Sequence, residues 1–393
     1  MAEHSHRPQA RRSFLRLAGA AGLAVALAGC QIVPGGSRGQ QAPLPPPDPE
    51  REAPLTLQTP HKVAVLVPLA GPNGGVGTSL SNAANLALAD ARGERLQLTV
   101  YDTSAGAAAA AERALAEGNR LFLGPLLSED VRAVAPRARR AQVPVISFSN
   151  DVSVAGNGVY IMGFNPAQSI ERVVRYARGQ GVQRFAGLIP EGDYGVRSGQ
   201  ALARAVEGSG GRLVASQTFG RTPAALRSAA IRLNAQSPYD AVLIADNGRI
   251  AMSAATTIRS GPSNTARILG TELWRNETAL AGSVPMRGAW FASVPNGMFD
   301  QLRTRYRARY GKIPYRLGSL GYDAVLLSVR ISNEWRQGRP FPERELRNPE
   351  GFMGVDGAFR FGSDGVAERQ LEVLEVRAGS FTPVSPALGS FAR

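Results

Sequence analysis

The stretch VAVLVPLAGPNGGVGTSLSNAANLALAD, residues 63–90, decides the fold of this chain. Residues 63–67 are a short apolar run bounded by Pro68 and a glycine-rich loop, which predicts a buried β-strand. Residues 79–91 then carry apolar side chains at helical spacing, which predicts an α-helix. A buried strand, a loop and a helix in this order form the unit from which parallel sheets are built.

The rest of the chain repeats this unit in two series. The first series predicts strands at 96–101, 121–123 and 143–146 and helices at 105–117 and 129–140. The second predicts helices at 167–179, 196–208, 223–234 and 248–258 and strands at 184–189, 212–219, 239–245, 267–269 and near 289–294. Helices at 298–310 and 317–336 follow, and then short strands that include 371–376. The pattern predicts an α/β fold of two doubly wound parallel-sheet lobes, with a hinge and an interlobe cleft at the carboxyl ends of the strands.

The N-terminal residues have the pattern of an export signal. The sequence RRSFLR at 11–16 resembles a twin-arginine signal, and the apolar run 17–27 is about half as long as a membrane-spanning helix. The following LAGC resembles a bacterial lipobox, which predicts a signal peptide of residues 1–29 and lipidation of Cys30. Residues 30–60 are rich in Pro, Gly and Gln, so we expect an extended tether there.

These features predict the location of the protein. We expect a periplasmic protein that is lipid-anchored to a membrane. Ile32 stands after Gln31, where the aspartate that retains lipoproteins in the inner membrane is missing. The sequence therefore favours the outer membrane of a Gram-negative bacterium.

Composition restricts the possible chemistry. Cys30 is the only cysteine, so its lipidation leaves no thiol for a disulfide, a metal cluster or a nucleophile. Of the three histidines, His4 and His6 lie in the signal peptide and His61 at the end of the tether. No histidine base is available to activate a serine, so we expect no enzymatic activity, no cofactor and no metal. An acid/base hydrolase that uses Glu272 or Asp193 remains an alternative.

The chain is strongly basic. Four arginines and one glutamate in residues 1–29 contribute +3 of the formal charge of +14, which leaves +11 for the rest. The arginines are scattered through predicted helices among Glu and Asp, and no aromatic-basic cluster appears, so nucleic acid is not expected as a partner. Two alternatives remain open, which are attraction to anionic surfaces and an arginine-rich composition without a partner.

Several motifs resemble a known family. Residues 63–90 resemble the first strand, Gly-Pro loop and helix of the leucine/isoleucine/valine-binding family, the type 1 periplasmic binding proteins. Further motifs follow in that family's order, namely LFLGPLLSEDVRAVAP (121–136), VPVISFSN (143–150), PEGDYG (190–195), ILGTE (268–272), LGYDAVLL (320–327) and GVDGAFRFGSDG (354–365). The resemblance covers about residues 61–377. It implies an N-lobe of 61–163 plus 296–337 and a C-lobe of 164–295 plus 338–393.

The resemblance also implies a ligand site. The family's amino-acid site falls on six residues here, Ser128, Ser149, Asp151, Tyr194, Asn247 and Glu272. In family members that bind amino acids, N-lobe hydroxyls and amides hold the ligand carboxylate, and a C-lobe carboxylate matching Glu272 holds the ammonium. Those members carry a threonine about where Asp151 falls. A carboxylate there would repel the ligand carboxylate by on the order of a few kcal/mol, which counts against an amino-acid ligand.

Simpler structural roles compete with binding at several of these positions. Ser128 precedes a predicted helix, where it serves as a cap alone or as a cap that also contacts the ligand. Tyr194 belongs to a turn or to the cleft, and Glu272 is a cleft charge or a solvated loop residue. For Trp274 and Trp290 we expect packing in the core rather than a role as anchors for a partner.

A subgroup of the fold suggests the function. Leu273-Trp274 and the tail from residue 354 look like the outer-membrane lipoproteins that activate penicillin-binding proteins. We therefore expect a regulator of peptidoglycan synthesis whose partner is a penicillin-binding protein. The alternative is the substrate-binding protein of an ABC importer for amino acids or a related small molecule, with an ABC permease as its partner.

Overall fold

The computed structural model describes residues 59–391. The predictions for Cys30, for the signal peptide and for nearly all of the tether lie outside the described residues. The strands are β1 His61–Val67, β2 Leu96–Asp102, β3 Phe122–Leu123, β4 Val145–Ser147, β5 Val159–Ile161, β6 Arg184–Pro190, β7 Arg212–Phe219, β8 Ala241–Ile244, β9 Arg267–Gly270, β10 Trp290–Ser293, β11 Phe352–Gly354, β12 Gly357–Phe361, β13 Ala367–Arg369, β14 Glu372–Arg377 and β15 Ser380–Ser385. The helices are α1 Gly74–Asp90, α2 Ala107–Ala116, α3 Ser128–Arg140, α4 Pro166–Gly179, α5 Asp193–Gly208, α6 Pro223–Asn234, α7 Gly248–Arg259, α8 Gly297–Tyr310 and α9 Gly318–Ser332.

The N-lobe is built on a parallel sheet with the strand order β2-β1-β3-β4-β5. Alternate residues of β1 point to opposite faces, so Val65 and Leu66 belong to two separate cores. Side chains of α2 and α3 close one face, and those of α1, α8 and α9 close the other. Burial on both faces explains why β1 is an uninterrupted apolar run.

The C-lobe is built on a sheet with the order β15-β14-β10-β9-β8-β6-β7. Strands β6 to β10 are parallel to their neighbours, whereas β14 and β15 extend the edge as antiparallel strands. Helices α6 and α7 pack on one face and α4 and α5 on the other. The predicted α/β fold of two doubly wound lobes is therefore confirmed.

The chain crosses between the lobes three times, after β5, after β10 and after β13. Hydrogen bonds fasten the first crossing to the third. The Gln168 side chain donates to the carbonyl of Ala367 at 2.7 Å and accepts from the amide of Arg369 at 3.1 Å. Arg369 in turn donates to the carbonyl of Met162 at 2.8 Å. The first and third crossings are thus hydrogen-bonded to each other, and we refer to them together as the hinge.

The structure differs from the expected lobe assignment near the C-terminus. All of residues 338–393 were assigned to the C-lobe, but Phe341, Leu346 and Phe359 are buried in the N-lobe core beside α9. Strands β11, β12 and β13 form a separate antiparallel sheet, and among them Phe352 and Phe359 also join that core. Within 338–391 only β14 and β15 extend the C-lobe sheet, since β14 pairs with β10 and places Leu374 and Val376 in the C-lobe core.

The first helix begins five residues earlier than predicted, at Gly74. Its first turn packs against the end of β1. A Cβ atom at Gly77 would lie 1.7 Å from the carbonyl oxygen of Pro68, so only glycine permits this approach. The glycine-rich loop is therefore largely the start of α1, and it lies next to the cleft.

No helix among residues 59–391 combines the length and the apolar character needed to cross a membrane.

Candidate functional site

A cavity of about 410 Å³ lies between the two lobes, at the carboxyl ends of the sheet strands. Most of its lining is apolar, and both lobes contribute to it. The N-lobe side includes Val76, Leu126, Leu127, Phe148 and Leu317, and the C-lobe side includes Leu273 and Val294. The polar lining residues are Asn73, Asn150, Glu272, Arg275, Asn276, Ser293 and Arg316. A concave, mainly apolar space with a few polar groups is typical of a small-molecule site.

Glu272 is the one predicted site residue among the residues that line this cavity. It follows β9, and the hydroxyl of Ser169 on α4 donates a hydrogen bond to its carboxylate. Burial raises the pKa of Glu272 to about 7, although the Ser169 hydroxyl and a backbone amide oppose the shift. No arginine or lysine among residues 59–391 forms an ion pair with it. The cavity therefore contains a carboxyl group that lacks a cation.

Asp151 lies at the junction of the lobes rather than in the lining of the cavity. Its carboxylate is 3.1 Å from the Arg132 guanidinium on α3 and 3.4 Å from the Arg197 guanidinium on α5 of the C-lobe. It also accepts a hydrogen bond of 3.1 Å from the amide of Ser153. Partial burial opposes ionisation, but Ser153, Arg197 and Arg132 outweigh it and hold the pKa of Asp151 below its usual value. Asp151 is thus an ionised link between the lobes.

Both predicted serines already have hydrogen-bond partners within the protein. The hydroxyl of Ser149 accepts a hydrogen bond of 3.1 Å from the amide of Asp151, and Ser149 is buried. Ser128 is the first residue of α3 and makes no capping hydrogen bond, because Leu127 occupies the cap position. The expectation of a serine cap was therefore wrong. The Ser128 hydroxyl instead accepts a hydrogen bond of 3.2 Å from Arg132, which is itself an ion-pair partner of Asp151. Both serines therefore make hydrogen bonds that help to position Asp151 or its partner.

The two remaining predicted residues lie in the C-lobe beside the cavity lining. The Tyr194 hydroxyl is 3.2 Å from the Thr271 hydroxyl, and burial followed by the Glu272 charge raises the pKa of Tyr194. Asn247 caps α7 by accepting from the amides of Arg249 and Ile250 at 3.1 Å each. Neither side chain faces the cavity directly, and both have local structural partners.

Two arginines in the cavity lining were not predicted. Arg275 is 3.5 Å from Glu372, and Arg316 is 2.5 Å from Asp356, which is fully buried. The guanidinium of Arg316 also lies 4.1 Å from the ring centre of Phe299. Each arginine thus faces a carboxylate of its own lobe, so among residues 59–391 Glu272 is the ionisable group of the cavity lining without a partner of opposite charge. No local motif identified them, because their partners are far away in the chain.

Trp274 and Trp290 belong to the core, as predicted from the sequence. Trp274 is fully buried and donates to the carbonyl of Asp246 at 2.8 Å, and Trp290 is 6% exposed. Among the described residues no group of three or more His, Cys, Asp or Glu side chains has an arrangement that could hold a metal ion.

The sequence and the fold were compared with known proteins. The model of the family described as periplasmic binding protein matches residues 60–380. An uncharacterized protein of Rickettsia prowazekii (strain Madrid E) is 25% identical over 170 residues, which are 43% of this chain and 46% of that protein. The alignment therefore spans about half the length of that relative.

Solved structures with a similar fold include the two described next. The leucine binding protein LivK of Thermotoga maritima superposes with a TM-score of 0.60 at 23% identity, over 83% of this chain and 98% of that chain. Full-length LpoA of Haemophilus influenzae superposes with a TM-score of 0.65 at 19% identity, over 84% of this chain and 59% of that chain. At such identities the likeness concerns the fold alone.

Proposed function

Since the chain belongs to the periplasmic binding protein family, we propose that it is a non-catalytic regulatory lipoprotein that activates a penicillin-binding protein in peptidoglycan synthesis. The family implies an extracytoplasmic location. The observation that carries the proposal is the position of Asp151. Its carboxylate bridges the lobes through Arg197, close to where the resemblance assigns the carboxylate of an amino-acid ligand.

The surroundings of Asp151 favour a regulator over an amino-acid carrier. Ser149, Arg132 and Arg197 are already engaged by Asp151 itself. A ligand carboxylate would have to displace these contacts and approach a like charge in a closed cleft. The cost would be on the order of a few kcal/mol, which is enough to abolish useful affinity for a small ligand.

The fold permits this function, and one further feature supports it. LpoA has the same fold over 59% of its chain, and at 19% identity this likeness concerns the architecture alone. A lipidated Cys30 followed by the Pro-rich tether of residues 30–60 suits a protein that must extend from a membrane to enzymes that work on the cell wall.

The direct test mixes the purified mature protein with each penicillin-binding protein of its own cell. Glycan polymerisation and cross-linking are measured with and without the protein. We expect binding to one of these enzymes and a faster reaction. Absence of both binding and stimulation with every enzyme would refute the proposal.

A thermal-shift screen tests the alternative role as the amino-acid-binding protein of an ABC importer. A ligand that binds only the native state raises the melting temperature, so we expect no response to any amino acid. The matched control is Asp151→Thr, which supplies the threonine of the amino-acid binders and is expected to gain a response. A clear upward shift of the unaltered protein with leucine would instead favour the importer.

The uncompensated Glu272 favours a second candidate function, a substrate-binding protein for a small apolar ligand with an ammonium group. Such a ligand would pair its cation with Glu272 and place its apolar part against residues such as Phe148 and Leu126. Isoamylamine and leucine differ only in the carboxylate and so form a matched pair of probes. If this second function is correct, isoamylamine raises the melting temperature and leucine does not. The effect of isoamylamine is then lost in Glu272→Gln. Native mass spectrometry of the purified protein would identify a ligand that copurifies.

A further inference from the structure

Helices α4 and α5 lie side by side on the C-lobe sheet and leave an open groove of about 620 Å³ between them. Its floor consists of the small side chains Ala167, Ala201 and Ala205, and its walls carry Arg175, Arg178 and Arg204. We name this feature the arginine groove. It is separate from the interlobe cavity, with which it shares no lining residue.

The charges in the arginine groove are strongly unbalanced. Arg175 pairs with Glu171, and no other acidic residue lines the groove in the part of the chain that the structure describes. Arg178 is held in place because it donates to the carbonyls of Ser209 at 3.0 Å and Val182 at 2.5 Å. Within residues 59–391 Arg204 has no acidic partner in an ion pair or hydrogen bond. Three guanidinium groups therefore face one carboxylate, and one of them is positioned in advance.

We propose that the arginine groove binds an acidic segment of a partner protein. Small side chains in the floor permit a close approach of the partner's backbone, and the guanidinium groups in the walls pair with its carboxylates. The shape favours a polypeptide over a membrane, because a flat layer of anionic headgroups cannot enter a groove between two helices. Helix α4 has 14 residues, so the groove follows at most about 21 Å of such a segment.

The position of α4 gives this surface a functional consequence. The opposite side of the same helix contacts both the hinge and the cleft. Arg172 donates to the carbonyl of Leu371 in the third crossing at 3.0 Å, and Ser169 donates to Glu272. A segment bound in the arginine groove would thus lie about one helix diameter, or about 10 Å, from the cavity acid. The inference extends the proposed function, since the groove would serve as a contact surface for the regulated partner.

The first experiment uses a fluorescein-labelled helical peptide made of Glu and Ala and measures its binding by fluorescence anisotropy at low ionic strength. The test variant is Arg175→Glu/Arg204→Glu. The matched control is Arg221→Glu/Arg227→Glu, which changes the net charge equally at two exposed arginines of the same lobe. We expect the groove variant to lose about tenfold or more in affinity and the control to lose less than about threefold. Equal losses of affinity in both variants would show that the peptide responds only to the net charge of the protein, and would overturn the inference.

A second variant tests the shape of the site without changing its charge. Ala205→Trp fills the floor of the groove, and we expect it to weaken peptide binding by about threefold or more while the circular dichroism spectrum stays unchanged. Unaltered affinity would show that the peptide binds elsewhere and would overturn the inference. The peptide result is independent of the enzyme assay. A protein that stimulates no penicillin-binding protein but still binds the peptide in the groove would refute the proposed function alone.

Discussion

The carboxylate of Asp151, in the loop after β4 of the N-lobe, lies 3.4 Å from the guanidinium of Arg197 on α5 of the C-lobe. On the N-lobe side the same carboxylate contacts Arg132 at 3.1 Å. One side chain thus holds both walls of the cleft. The hydrogen bonds between the first and third crossings also join the lobes, so this ion pair is a second, separate link between them.

Removal of this ion pair is expected to open the cleft. Arg197→Gln takes away the contact across the lobes, whereas Arg132→Gln takes away only the contact inside the N-lobe and serves as the control. The side chain of Arg197 is 30% exposed, so solvent limits the pair to about 1 kcal/mol and the shift in the open population to about fivefold. Distances between spin labels on the two lobes would measure this shift. Equal opening in both variants would contradict the assignment of Arg197 as the link.

Stability is expected to depend on pH through Glu272. Its carboxyl group has a pKa of about 7 in the native state, against 4.5 for a glutamate that is free in water. The native state therefore binds the proton more tightly, and stability falls as the pH rises from about 4.5 to about 7, by at most about 3 kcal/mol. Glu272→Gln removes this dependence, so the variant should gain stability relative to the unaltered protein between pH 5 and pH 8.

Urea unfolding at both pH values measures this change. The matched control is Glu94→Gln, since Glu94 is exposed and has no burial to relieve. Ser169→Ala removes the hydrogen bond that stabilises the charged form, so it should shift the pH dependence to higher pH. The raised pKa would be contradicted if the free energies of unfolding of Glu272→Gln and the unaltered protein differed by the same amount at pH 5 and at pH 8.

The pair of Arg316 and Asp356 is expected to be essential for the N-lobe. Asp356 is fully buried and Arg316 is 10% exposed, so removal of one partner leaves an uncompensated charge in the interior. We expect Asp356→Asn to lower the free energy of unfolding by about 3–5 kcal/mol. Arg316→Met/Asp356→Leu should lose less than the single variant, since it buries no charge. The control is Glu368→Gln in the exposed pair of Arg360 and Glu368, with a loss below about 1 kcal/mol.

Gly270 is expected to accept no larger side chain. A Cβ atom there would lie 2.2 Å from the ring of Trp274, which is fully buried and unable to move aside. We expect Gly270→Ala to destabilise the protein by about 1–3 kcal/mol or more. Gly199 inside α5 is the control, because a Cβ there meets its nearest atom at 3.8 Å. Gly199→Ala should stabilise the protein by about 0.5–1 kcal/mol. Equal melting temperatures for the two variants would contradict this packing.

Much of the fold could be predicted because its signals are local. The apolar run of β1 and the helical spacing of α1 each lie within a few residues, and burial on both faces of a parallel sheet leaves a clear pattern. The C-terminal region was assigned to the wrong core for a complementary reason. Short strands such as β11 and β12 have no pattern that distinguishes one apolar surface from another, so the contact of Phe359 with the N-lobe core appeared only in three dimensions.

The candidate site was less predictable than the fold. Of the six residues that the resemblance assigned, Glu272 lines the cavity, whereas Asn247 caps a helix and Ser149 supports Asp151. Arg275 and Arg316 were missed, because an arginine in a basic chain gives no local signal of its partner. Their neutralising carboxylates, Glu372 and Asp356, lie 97 and 40 positions further along the chain.

The sequence by itself determined that two parallel-sheet lobes form and that their loops meet at the carboxyl ends of the strands, since alternating strands and helices permit few other arrangements. Only the tertiary structure decided that Asp151 meets Arg197 and that Glu272 has no cationic partner among residues 59–391. Ion pairing depends on distances of a few ångströms between groups that are remote in the chain, and the packing of one lobe against the other sets those distances.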